Sequence, residues 1–437
     1  MKVRSWLAIC STTRDSTIPF SKTEPSPSSL EKLGGSDTSG SSDFPSTSTS
    51  NTSSSSLQSN LSLQTLPSLP SLQKLSPLDA LDLSVSHLCF TTLTPRRPSL
   101  PITCLAVHRD LLYAASGHEI NIYDRTACTH LESFSARDAG SVKAFSFSDG
   151  KVLTSHQDSK IRAWQLTTAT KRHKLLTVLP TVTDRLRRFV LPKNYVTIRR
   201  HKKRLWIEHA DAVTGIAVNN GLIYSVSWDK SLKIWRETDL RCVESVKAHE
   251  DAVNAVVVSN DGTVYTGSAD RRIRVWAKPF GEKRHVLVAT LEKHKSAVNA
   301  LALNDDGSVL FSGACDRSIL VWEREDSANH MAVTGALRGH GKAILCLINV
   351  GDMLLSGSAD RTVRMWQRGG DGSFSCLAVL EGHVRPVKSL VAVADGGSNG
   401  VVSVYSGSLD GEVKVWHVSI SNGNNSENIN PVCELKM

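Results

Sequence analysis

Histidine, a hydroxyl residue and aspartate recur in this chain at fixed distances, and these are the residue types of a hydrolytic triad. Six stretches read VLTSHQDSKIRAW, IYSVSWDKSLKIW, VYTGSADRRIRVW, LFSGACDRSILVW, LLSGSADRTVRMW and VYSGSLDGEVKVW. They close on Trp164, Trp235, Trp276, Trp322, Trp366 and Trp416. Six residues before each Trp stands an Asp: Asp158, Asp229, Asp270, Asp316, Asp360 and Asp410. Four residues earlier stands a hydroxyl: Thr154, Ser225, Thr266, Ser312, Ser356 and Ser406. In five units a His lies upstream, four positions before an aliphatic residue: His209, His249, His294, His340 and His383. An active site is normally single, so a set repeated unit after unit reads as structural, and no catalytic residue, cofactor or metal site is assigned. Phosphate-binding glycine loops, HExxH and kinase signatures are missing from the sequence. The lone GxSxG match, Gly396 to Gly400, lies in a polar turn without a strand-to-helix elbow and reads as chance.

The residues around these sets explain what must position them. Apolar residues alternate over short stretches, and Asn260-Asp261-Gly262 and Asp305-Asp306-Gly307 separate them, as in antiparallel strands joined by tight hairpins. From Trp235 onward the tryptophans are spaced by 41, 46, 44 and 50 residues, close to the length of a four-stranded blade. A degenerate unit comes first, ending on Tyr123 and Asp124 with Ala114 in the hydroxyl position, and unit two has Asp138 where the His should be. Seven units predict an all-β, seven-bladed propeller, a closed ring without free sheet edges. The last blade needs a fourth strand, preferably His87–Leu93 from before the first unit, otherwise Val432–Lys436 from the tail.

These phrases resemble the WD repeat closely, from about Ser86 to Val418. The resemblance implies that His, hydroxyl, Asp and Trp form one hydrogen-bonded chain inside each blade, with the Trp ring keeping water out. The expected organisation is a disordered Ser/Thr/Pro-rich arm over 1–84, a propeller over 85–421 with a basic insertion at 171–206, and a tail over 422–437. The arm cannot bury enough apolar surface to offset chain entropy. Its leucines, Leu57 to Leu75, recur every two to four residues and suit either a docking motif or a sticky linker. Ser26 and Ser76 precede prolines and are candidate phosphorylation sites.

The formal net charge of +9 is concentrated in the insertion, which holds twelve cations against one acid, Asp184. Arg185, Arg187, Arg188, Arg199, Arg200, Lys202, Lys203 and Arg204 are its core, and any electrostatic partner belongs there first. A solvated loop, a nuclear-import signal in Arg199–Arg204, and a nucleic-acid or anionic-lipid site all fit this run. Leu186, Phe189, Val190 and Leu191 suit a short amphipathic turn packed on the propeller side. Nine scattered cysteines without zinc spacing read as thiols of a reducing compartment. No apolar run spans a bilayer, and the apolar patch at Trp6–Cys10 is too short for a secretory signal.

If the His of each blade meets its Asp, the residues after each Asp share one rim: Ser159, Lys230, Arg271, Arg317, Arg361 and Gly411. With Trp228, the cations Lys230, Arg271, Arg317 and Arg361 form the candidate partner site, suited to acidic or phosphorylated segments. The insertion, much of it reading LPTVTDRLRRFVLPKNYVTIRRHKKRLWIEHADAV, and the Ser/Thr-rich arm resemble a plant group of WD-repeat proteins, the JINGUBANG type. That resemblance implies a regulatory scaffold in cytoplasm and nucleus, restraining pollen germination and tube growth through protein partners such as a transcription factor. A substrate receptor of a ubiquitin ligase is the rival among scaffolds, although the Trp-Asp-x-Arg docking phrase is lacking.

Overall fold

The computed structural model describes residues 69–72, 83–97, 99–148, 150–167, 172–199, 202–324, 331–394 and 401–422. These form seven four-stranded antiparallel sheets, and the first strands of successive sheets touch in order until the seventh meets the first. Strands are counted here from first, at the ring centre, to fourth, at its outside. The first strands open at Ile102, Val142, Val213, Val253, Val298, Ile344 and Val387.

Closure follows the N-terminal alternative. Leu83–Leu93 is the fourth strand of blade seven, antiparallel to Val413–Asn422, with His87 opposite Val418 and Leu93 opposite Val413. Val432–Lys436 lies outside the described residues.

Every sheet is covered on both faces by its neighbours, so the strict polar–apolar alternation of a half-exposed strand is lost near the centre. The second strands Leu222–Ser227 and Val264–Ser268 each carry five consecutive buried residues. Their small hydroxyls and glycines are steric choices. At Gly267, Gly313, Gly357 and Gly407 an added β-carbon would lie 2.8, 2.4, 2.9 and 2.5 Å from Val298, Ile344, Val387 and Ile102. Those four are the first residues of the next blade's first strand, so each glycine is a hole that receives the neighbouring blade's knob.

Three expectations need correction. Arg172–Leu179 pairs with Ile161–Thr167 as the fourth strand of blade two, so the insertion proper begins only at Pro180. It consists of a helix, α1 (Val182–Phe189), and a hairpin of Tyr195–Arg199 with Lys202–Leu205. Second, the apolar residues of α1 do not pack on the propeller: Leu186, Phe189 and Val190 are 66, 65 and 77% exposed. The helix instead turns Asp184 and Arg188 inward. Third, the arm lodges one piece, Leu69–Leu72, between blades five and six. The rest of the arm lies outside the described residues apart from the start of the closing strand. Among the described cysteines, Cys89, Cys104, Cys128, Cys242, Cys346 and Cys376 are free thiols.

Gly313→Val puts methyl groups where Ile344 already sits, and overpacking of this kind costs about 1–3 kcal/mol or more. Chemical denaturation should show that loss, whereas Gly351→Ala, in open space, should cost only about 1 kcal/mol, from its φ of 54° alone.

Candidate functional site: the rim and the basic insertion

In blades three to seven the expected chain forms in one direction. The indole N–H of Trp235 donates to the Ser225 hydroxyl at 2.9 Å, that hydroxyl donates to Nε2 of His209 at 2.8 Å, and His209 Nδ1–H donates to Asp229 at 3.0 Å. His249–Thr266–Asp270–Trp276, His294–Ser312–Asp316–Trp322, His340–Ser356–Asp360–Trp366 and His383–Ser406–Asp410–Trp416 repeat it within 2.8–3.0 Å. The same Asp oxygen accepts the amide one residue after the His, at Ala210, Glu250, Lys295, Gly341 and Val384. The other oxygen accepts the amide two residues after the Asp. Each hydroxyl sits between the indole N–H and the histidine ring, so these sets hold the blade's loops together. His383, Asp410 and Glu412 bring three ligand-type atoms within 4.8 Å, but the first two are already bonded to each other.

Burial sets the ionisation. It pushes His209 and His383 below their ordinary value of 6.5 despite their Asp partners. Burial alone would raise the carboxylates, but hydrogen bonds and the adjacent histidine outweigh it. They hold Asp270 and Asp316 near about 2 and depress Asp229, Asp360 and Asp410 as well.

Blade two solves the problem differently, which the sequence reading did not foresee. His156, two residues along the same strand, bonds Thr154 at 2.7 Å, and Trp164 donates to Thr154 at 2.8 Å. Asp158 takes a two-pronged bond from Arg162. Burial, with Arg162 nearby, lowers His156 to about 3. Blade one, with neither His nor Asp, links His130, Ser133 and Asn121 instead.

A second repeated device was also missed. Glu132 binds the backbone and ring of His173 on the next blade, and His173 meets Tyr113. Glu244, His285 and Tyr224 repeat it with the same 41-residue step from Glu to His. The equal spacing was visible, but without the blade register nothing connected these three residue types.

The His–Asp bonds place the residues after each Asp on one rim, as expected. Ser159, Lys230, Arg271, Arg317 and Arg361 all adopt left-handed backbone conformations, with φ of 66–79°, and Gly411 sits at 92°. An L-residue there costs roughly 1 kcal/mol relative to glycine. Three consecutive blades nevertheless carry arginine at this position, all exposed. The lead-in loops of blades five to seven add exposed Lys295, Lys342 and Arg385 beside them. Among the described residues none of these six cations has an ion-pair partner, although the neighbouring Arg272 pairs with Glu292 at 2.7 Å. Blades three and four carry Asp211 and Asp251 in the same loops, so the rim is divided by charge. Lys230 differs from the arginines, because its ammonium donates to the Glu250 carbonyl at 2.5 Å. Trp228 is half-buried at the inner rim with Lys143 of blade two 5.7 Å from its ring centre.

The basic segment is divided too. Thr181 caps α1 by accepting the Asp184 amide. Buried Asp184 then accepts from Arg188 and from the Cys242 amide of blade three. Arg188 also reaches the Cys242 carbonyl and lies 4.5 Å over Trp206. Arg185 pairs with Glu208, and Arg204 donates to the His209 carbonyl and to Ser159. These three arginines therefore fasten the insertion to blades two and three and are not available as a free anion site. Arg187, Lys193 and Lys203 are exposed. Arg200 and the side chains of Arg199 and Lys202 lie outside the described residues. Between the hairpin and the outer strand of blade three opens a groove of about 1120 Å³, lined by Val196, Ile198, Trp206, Val243 and Lys247 among others.

The family described as WD domain, G-beta repeat matches residues 201–236, 240–277, 285–323, 332–367 and 374–417, which are blades three to seven. This chain carries WD repeats in a seven-bladed β-propeller. The propeller's blades one and two fall outside those matches, as their altered networks explain. Among known proteins, an uncharacterized WD repeat-containing protein of Schizosaccharomyces pombe is 30% identical over 98 residues, 22% of this chain and 18% of that one. Pre-mRNA-processing factor 19 of Bos taurus is 24% identical over 160 residues, 35% of this chain and 31% of its own. The chain thus spans less than a third of the length of these relatives.

The depressed histidines and carboxylates give the WD-repeat propeller a pH dependence of known sign. Below about pH 6.5 the unfolded chain takes up protons that His156, His209 and His383, lowered by burial, bind less readily in the fold, so folding stability falls with pH. It falls again between about 4 and about 2, where Asp270 and Asp316 must be protonated. Thermal melts should drop by at least about 5 °C from pH 7 to pH 5. An unchanged or rising melting temperature over that range would contradict the assignment.

Proposed function

We propose that this protein is a non-catalytic interaction scaffold that holds acidic or phosphorylated segments of other proteins across the rim of blades four to seven. The observation that carries this reading is the arc of six exposed cations without ion-pair partners among the described residues: Arg271, Lys295, Arg317, Lys342, Arg361 and Arg385. Arginine can grip a carboxylate or phosphate with two parallel N–H bonds, and three of the six are arginines held in a costly backbone conformation. Trp228, on the adjoining blade three, supplies an aromatic anchor. Likeness of arm and insertion to the JINGUBANG type supports placing this scaffold in plant regulation, with a transcription factor among its partners and a location in cytoplasm and nucleus. Restraint of pollen germination and tube growth is the corresponding physiological role.

Replacing Arg271, Arg317 and Arg361 together by glycine separates binding from folding. Glycine relieves the left-handed strain, so the melting temperature should hold or rise. Binding to a panel of acidic and phosphoserine peptides should fall at least about tenfold, and the wild-type affinity should weaken with salt. Undiminished peptide binding by the folded variant would remove the rim from the function.

A second reading has its own observation. Val182, Leu186, Phe189 and Val190 form one exposed apolar stripe along α1, and Arg187 and Lys193 flank it in the open. An apolar stripe bordered by cations suits the surface of an anionic membrane. Flotation with phosphatidylserine vesicles should carry the protein, and Leu186→Gln with Phe189→Gln should abolish that. Flotation that survives the substitutions, or that occurs equally with neutral vesicles, would rule this reading out.

A further inference from the structure

The crevice between the outer strands of blades five and six is filled by the chain's own arm. Leu69-Pro70-Ser71-Leu72 runs parallel to the fourth strand of blade five, Met331–Leu337, with Ser71 level with Ala336. The Ala336 amide donates to the Pro70 carbonyl at 3.1 Å, and the Leu72 amide donates to the Ala336 carbonyl at 3.2 Å. Where the fourth strand of blade six opens, the Phe374 amide donates to the Leu72 carbonyl at 2.9 Å. Arg338 reaches the Leu69 carbonyl at 3.4 Å. Four residues thus extend one sheet edge and bridge to the next blade.

The side chains give this contact a sequence requirement. Leu72 packs on the cluster containing Phe311, Leu337 and Phe374, and Leu69 packs on the cluster containing Met331 and Ala336. Room for Leu72 exists because residue 335 is glycine, where a β-carbon would lie 2.3 Å from the leucine Cγ. The backbone of Gly335 is not left-handed, so space and not conformation explains the glycine. Pro70 brings no amide to the contact and faces solvent, while Ser71 between the anchors is also exposed. The pattern read is leucine, proline, any residue, leucine.

The arm carries that pattern twice in overlap, because Leu66-Pro67-Ser68-Leu69 precedes Leu69-Pro70-Ser71-Leu72 at a step of three. Two registers offering the same chemistry mark a site that reads a motif, with backbone bonds for affinity and two pockets for selectivity. We propose that this crevice is a peptide-binding site for extended Leu-Pro-x-Leu segments, filled in cis by Leu69–Leu72 and taken by the same motif on a partner protein when the arm is released. Tethering gives the arm a high effective concentration, so a free peptide competes poorly until the arm is weakened. The site lies on the outer edge and is independent of the cationic rim, so either can fail without the other.

The test uses the full chain and a fluorescein-labelled peptide of Thr65–Lys74. Leu66→Asp, Leu69→Asp and Leu72→Asp together disable the tethered ligand. Fluorescence anisotropy should then show saturable binding at least about tenfold tighter than to wild type. Adding Gly335→Leu should abolish it, and a peptide with aspartate in place of its leucines should not bind. The peptide should also raise the melting temperature of the triple variant. A triple variant that binds nothing, or binds regardless of Gly335→Leu, overturns the proposal. So does one that is destabilised and not restored by saturating peptide, since the segment is then a fixed staple. Leu72→Ala gives a milder check by hydrogen exchange. Loss of protection confined to the Ala336 and Phe374 amides supports an exchangeable ligand, and loss throughout blades five and six refutes it.

Discussion

The fold depends on one hydrogen bond made five times, from a buried histidine to the aspartate of a tight turn. The bond is strong because both partners are removed from water and because the aspartate oxygens are saturated by backbone amides at the same time. It joins the loop leading into a blade to the turn between its second and third strands. Without it these would be two independent loops with separate conformational freedom. The tryptophan completes the chain from below and shields it, so removing one member leaves the others with unsatisfied buried atoms.

Fixing that turn also fixes the residue after the aspartate in a left-handed conformation, and therefore fixes the direction in which its side chain leaves the ring. Structural rigidity and surface chemistry are coupled at one position per blade. The interior device is nearly invariant from blade three to blade seven, whereas the position beside it is lysine, arginine or glycine. The ring can change its surface without disturbing its frame. A parallel separation exists in the insertion, where Arg185, Arg188 and Arg204 are consumed in attachment and the exposed Arg187, Lys193 and Lys203 face water.

Much of this was legible in the sequence because it is periodic. Offsets between His, hydroxyl, Asp and Trp gave the blades, the count gave the ring, and the segment before the first unit was the preferred of two candidates for the closing strand. Apart from the twice-made Glu–His–Tyr contact, what resisted reading was aperiodic. The fourth strand of blade two looked like insertion because Arg172 and Lys174 gave it the same charge as the helix and hairpin beyond it. His156 was invisible as a substitute because it reaches Thr154 from two residues away along one strand, not from a distant loop. The apolar residues of α1 pointed to packing by composition, yet a single buried Asp–Arg pair turns the helix the other way. Leu69–Leu72 had the composition of the Ser/Thr/Pro-rich stretch around it, and only the absence of a side chain at Gly335 reveals where it goes.

Blade seven is built from both sides of the propeller, Leu93 lying opposite Val413 across about 320 residues of chain. A ribosome adding roughly 5–20 residues per second needs on the order of 15–60 s to cover that distance. Throughout that time Leu83–Leu93 has emerged with no strand to pair with, its backbone amides and carbonyls unbonded and its Leu93 uncovered. The ring therefore cannot become cooperative until its last blade is made, and a chain truncated before Val413 keeps two open sheet edges. Premature termination in this protein is an aggregation hazard built into its topology.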